Sequence, residues 1–98
     1  MVVKLNLMVN DSPIDTDHFV EGFIEHTVSG MIAALKDTGE IEYLNLVIDG
    51  DIVKLDLNGN TIPLTAFASK IIQSTISGMV STLKGVDDIK KLTLILHK

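Results

Sequence analysis

The chain repeats itself. Val3-Lys4-Leu5-Asn6-Leu7 returns as Val53-Lys54-Leu55-Asp56-Leu57, Thr27-Val28-Ser29-Gly30-Met31 as Thr75-Ile76-Ser77-Gly78-Met79, and Leu35-Lys36 as Leu83-Lys84. Ile41, Leu44 and Leu46 match Ile89, Leu92 and Leu94. From Val3 to Val53 the offset is 50, and from Phe19 to Phe67 onward it is 48, which places two extra residues near 11–17. A solenoid needs about three or more such units to bury a continuous core. Two copies in 98 residues instead predict one pseudo-symmetric domain over 1–98, with repeat 1 at 1–50 and repeat 2 at 51–98.

Each copy reads strand, turn, helix, strand. Val3, Leu5, Leu7 and Val9 alternate with Lys4, Asn6 and Met8, the period of a half-buried strand. Val53, Leu55 and Leu57 do the same, and the closing strands align Leu44, Leu46 and Ile48, and Leu92, Leu94 and Leu96. Asp49-Gly50 marks a tight hairpin that makes the second and third long strands antiparallel neighbours. Asn58-Gly59 is a second hairpin signal, able to fold Ile62-Pro63-Leu64 back as a short edge strand. Asp17 and Thr65 suit helix N-caps, and Gly39 and Gly85 suit C-terminal stops. Ile24, Val28, Met31 and Leu35, and then Ile72, Ile76, Met79 and Leu83, form the stripes expected to face a sheet.

The order βαββαβ with right-handed crossovers predicts an α+β, ferredoxin-like two-layer sandwich. Its four-stranded sheet runs 4-1-3-2, with both helices on one face. The alternative adds two short strands near 11–14 and 61–64, giving a six-stranded (ββαβ)2 sheet.

The run from Ile62-Pro63-Leu64-Thr65-Ala66-Phe67 through Thr75-Ile76-Ser77-Gly78-Met79 to Leu83-Lys84-Gly85-Val86 resembles a family of small, uncharacterised prokaryotic proteins, of archaeal type, with an internal duplication. The resemblance covers most of each copy and implies no activity, cofactor or site residue.

The residues that carry chemistry are few. There is no Cys, which excludes thiolate metal sites, disulfides and cysteine nucleophiles. No Gly-rich phosphate loop, GxSxG or HExxH pattern occurs, so no catalytic residue or cofactor is assigned and the chain is read as a non-enzyme. His18, His26 and His97 fall at positions whose counterparts are Ala66, Ser74 and Asp49, and they read as surface residues. With thirteen acids, eight lysines, no Arg and a net charge of −5, nucleic acid is not an expected partner. No apolar run reaches the ~20 residues of a membrane span, and no signal peptide is evident, so a cytoplasmic protein without membrane contact is expected.

Three surfaces remain. The ferredoxin-like order would gather Asp11, Asp15, Asp17, Asp49, Asp51, Asp87 and Asp88 at one end, a weak candidate site for a divalent cation. Gly30 and Gly78 are expected at the closest helix–helix approach, where a larger side chain would overpack. Tyr43, Val47 and Ile95 lie on the uncovered sheet face, on strands that the 4-1-3-2 order makes its two edges. They are the interface candidates for a homodimer formed by edge pairing. The function expected is a small binding or assembly module acting through its surfaces, its ligand or protein partner unspecified. The alternative is a small-molecule or divalent-cation sensor.

Overall fold

The alternating segments form four long strands, and two-residue turns add a short strand to two of them. The computed structural model describes residues 4–35, 41–86 and 88–97. In chain order the elements are β1 (Lys4–Val9), β2 (Ser12–Pro13), α1 (His18–Leu35), β3 (Tyr43–Asp49), β4 (Ile52–Leu57), β5 (Asn60–Thr61), α2 (Ala66–Val80) and β6 (Lys91–His97). The six strands make one antiparallel sheet in the order β2-β1-β6-β3-β4-β5.

The α+β class with two helices stands, and the ferredoxin-like order does not. Among the long strands the observed order is first, fourth, second, third, so β3 and β6 are central instead of β1 and β4. The six-stranded alternative describes the sheet, although its added strands are Ser12–Pro13 and Asn60–Thr61, with Ile62-Pro63-Leu64 beyond β5. The reason is hydrogen-bond supply. β2 and β5 each pair with the strand before them, which needs a free edge on β1 and on β4. The 4-1-3-2 order would bury both of those edges.

Every element of one copy has a structural counterpart 48 residues later, β1 with β4 included. The two extra residues near 11–17 are therefore not there. Leu5, Leu7 and Val9 correspond to Val53, Leu55 and Leu57, and the burial sequence along the two strands is the same. Because the strand period is two, a two-residue slip leaves every side chain on its own face. The match at offset 50 is that slip.

The turns show the same equivalence atom by atom. Asn10 and Asp11 have φ of 52° and 66°, and Asn58 and Gly59 have 50° and 84°, so both turns hold two successive left-handed residues. That geometry suits a type I′ hairpin. Asn10 Oδ1 accepts from the backbone N–H groups of Lys90 (2.8 Å) and Lys91 (3.0 Å). Asn58 Oδ1 accepts from those of Glu42 (2.8 Å) and Tyr43 (2.9 Å). Each asparagine thus clamps the start of a central strand that belongs to the other copy.

The buried sheet residues share one parity. The row Leu7, Leu94, Leu46, Leu55 crosses all four long strands in register. These join Ile24, Val28 and Ile32 of α1 and Ile72, Ile76 and Val80 of α2 in one cluster, so both helices cover the same face. Met31 and Met79, expected on the stripes, are only partly buried, because the stripes centre on Ile32 and Val80. Gly39, expected to stop the first helix, lies outside the described residues, and α2 ends at Val80 instead of running to Gly85.

Two stability measurements check this account. Asn58→Gly keeps the backbone conformation and removes both accepted bonds, so urea unfolding should show a loss of about 1–2 kcal/mol. Asp11 carries a Cβ where the second copy has Gly59, and relieving its left-handed conformation in Asp11→Gly should add about 0.5–1 kcal/mol.

Candidate binding surface

Both helices begin with the same device. Asp17 Oδ1 accepts from the Val20 N–H at 2.8 Å, and Thr65 Oγ1 accepts from the Ala68 N–H at 3.1 Å. These caps satisfy N–H groups that the helix leaves open and fix where each helix starts. At about 100° per residue, the starts turn Phe19 and Phe67 to the side opposite the buried stripes. Phe19 is 75% exposed and Phe67 is 74% exposed. One turn on, Phe23 and Ile71 are 54% and 46% exposed. The rings of Phe19 and Phe23 lie 6.0 Å apart at 44°, within the range of a favourable tilted pair.

Phe19 and Phe23 border a groove between the helices, while Phe67 and Ile71 lie with Ala66, Lys70 and Ser74 along α2. The groove is lined by Phe19, Val20, Phe23 and Ile24 of α1, by Gly78 and Met79 of α2, and by Thr82 and Leu83 beyond α2, around a volume of about 400 Å³. The start of α1 thus lies beside the end of α2, and the helices run antiparallel. Outside the rings, His18 and His26 follow the outer flank of α1, where His26 Nδ1–H donates to the Gly22 carbonyl at 2.7 Å.

Gly30 and Gly78 do not make a tight helix–helix contact. A Cβ placed on either meets nothing within 4 Å. Gly78 lines the groove, and its missing side chain leaves room there. Gly78→Ala should therefore stabilise the fold by about 0.5–1 kcal/mol through helix propensity, read as a raised urea midpoint at unchanged slope.

The open sheet face differs from expectation through the strand order. Val47 and Ile95 lie on the two central strands, so neither they nor Tyr43 can pair edge to edge. The edges are the two-residue strands β2 and β5, and Pro13 stands in β2. Val47 and Ile95 are half-buried among in-register neighbours such as Thr93 and Asn45, and Tyr43 is 43% exposed at the end of its strand. Lys4, Lys54, Lys91, Asp49 and Asp56 surround them on the same face. The sheet face is thus a weakly apolar centre inside a rim of charged groups and Ile52, which is 59% exposed opposite Asp49, while the two most exposed large apolar side chains among the described residues, Phe19 and Phe67, lie on the helix layer.

The acidic end is only partly assembled. Asn10 Nδ2–H donates to the Asp88 carbonyl at 2.6 Å, and the Gly50 N–H donates to the Lys90 carbonyl at 3.2 Å, so the turns at 10–11 and 49–51 do meet the segment 88–91. But β2 carries the chain back along β1, and Asp17 is occupied as a helix cap. Asp11 lies 3.9 Å from the Lys91 ammonium. Among the described residues no three of His, Asp and Glu, the candidates Asp11, Asp15, Asp17, Asp49 and Asp51 included, stand where one metal ion could bind; Asp87 lies outside the described residues.

The exposed phenylalanines are what sequence reasoning missed. Their signal is present, since one Phe recurs at offset 48 on the wrong side of each helical wheel. Comparison with known protein families, curated proteins and solved structures finds no match to this chain. Among the described residues no helix is long and apolar enough to cross a membrane.

Proposed function

We propose that this chain is a non-catalytic binding and assembly module, cytoplasmic, whose working surface is the groove across its helix layer. One observation carries the reading: Phe19 and Phe67 stand at equivalent positions of the two copies, equally exposed, where packing within the chain gives neither a role. An aromatic ring left in water forgoes roughly 1.5–3 kcal/mol of burial, and here the same omission is made twice. With Phe23 and Ile71, the helix layer exposes a pair of large apolar side chains at the start of each helix. The acidic balance of the chain sets nucleic acid aside as a partner.

An environment-sensitive apolar fluorophore tests the surface directly. At about 1 µM protein, where weak self-association is negligible, the native chain should give saturable enhancement. Phe19→Ser with Phe67→Ser should abolish most of it while circular dichroism stays unchanged. No saturable enhancement in the native chain would refute the reading. The groove volume of about 400 Å³ also suits a small apolar ligand, the second reading, and such a ligand would raise the melting midpoint of the native chain.

A further inference from the structure

We propose that the Asn58-Gly59 turn is a site of spontaneous covalent modification. Asn58 loses ammonia there to become aspartate or isoaspartate, and its clamp on β3 holds that loss back. The co-reactant is water.

The asparagines of the chain are followed by Leu7, Asp11, Leu46, Gly59 and Thr61, so Asn58 alone precedes glycine. Deamidation begins when the backbone nitrogen of the next residue, its proton given up to base, attacks the side-chain Cγ. That nitrogen is reached most easily where the next residue has no Cβ to crowd it. Asn58 and Gly59 are both exposed, so base and water reach them. A bond forms between the Gly59 nitrogen and Asn58 Cγ, and Nδ2 leaves as ammonia, closing a succinimide ring. Water then opens the ring at either carbonyl. Opening at Cγ gives aspartate with the chain as before. Opening at the main-chain carbon gives isoaspartate, in which the chain runs through Cβ and Cγ. In sum a water enters and an ammonia leaves.

The clamp opposes ring closure. Asn58 Oδ1 accepts from the Glu42 N–H at 2.8 Å and the Tyr43 N–H at 2.9 Å, and the Asn58 N–H donates to the Tyr43 carbonyl at 2.7 Å. These bonds hold the side chain toward the start of β3. Turning Cγ onto the Gly59 nitrogen releases both accepted bonds, so the reaction proceeds from the opened turn.

The first copy offers the same geometry with a different neighbour. Asn10 has the same left-handed backbone, and its Oδ1 accepts from the Lys90 and Lys91 N–H groups. Its successor is Asp11, whose Cβ crowds the nitrogen and whose carboxylate disfavours giving up the proton. The second turn is therefore the labile one.

The two products leave different turns behind. Aspartate at 58 keeps its oxygen in place, and a carboxylate accepts from N–H groups more strongly than an amide does. Isoaspartate lengthens the backbone of a turn whose register pairs Leu57 with Asn60, and it draws the oxygen away from Glu42 and Tyr43.

The native chain, held at mildly alkaline pH and mapped by tandem mass spectrometry, should gain the mass of NH2 replaced by OH at Asn58 before any other asparagine. Isomerisation at Asp49-Gly50 changes no mass and is thereby kept apart. Unfolding in urea should speed the loss at Asn58 at least about tenfold, the factor that two hydrogen bonds of ordinary strength supply. Asp11→Gly should open a second site at Asn10, and Gly59→Asp should close the first, each with native circular dichroism. A loss at Asn58 no faster in urea than in the folded chain would overturn the restraint by the clamp. Equal rates at Asn10 and Asn58, or no loss at Asn58 even in urea, would overturn the site itself.

Discussion

The pairing of β3 with β6 holds the molecule together. Leu46 and Leu94 face each other across the local twofold, at 1% and 0% exposure, and each lies in a row of buried leucines that spans the sheet. Take away that pair of strands and two fragments remain. One is β1 with β2, the other β4 with β5, and neither has a second layer wide enough to cover it. Each copy contributes one central strand and one outer strand, and between a copy's own two long strands runs a strand of the other. The repeat is a unit of sequence and geometry, and it is not a unit of stability.

The asparagine clamps follow from this interleaving. A central strand approached from the far copy begins with N–H groups that its own copy cannot satisfy. Asn10 and Asn58, held left-handed by the hairpin turn, aim a side-chain oxygen at two of them. Asn tolerates that backbone region better than most residues and carries the acceptor required. One residue type meets both demands at each turn.

Local features were legible in the sequence because local physics makes them. The parity of Leu44, Leu46 and Ile48, the capping by Asp17 and Thr65, and the hairpin at Asp49-Gly50 each depend on a few neighbouring residues. Strand order does not. Both candidate orders keep β3 beside β4 and both helices on one face, so no turn or stripe distinguishes them. What does is whether the outer edges of β1 and β4 are needed, which depends on two strands of two residues each. The site failed for a related reason. Val47 and Ile95 reach an edge only in the strand order that the sheet does not take, and a Cβ on Gly30 meets no neighbour within 4 Å. The exposed rings of Phe19 and Phe67 needed only the helical wheel.

The pairing of Lys4 with His97 and of Val9 with Leu92 has a consequence for how the fold is reached. β6 follows the other seven described elements along the chain, and it joins β1 to β3. Until it emerges, the strands already made are two separate ribbons, and the helices have only half a floor to rest on. Most of the sheet's long-range order then forms in one step, closing the long loop from β1 to β6. Folding of this kind is slow for its size and close to all-or-none. A nascent chain stalled just short of Lys91 would hold its apolar leucines open, waiting for seven residues.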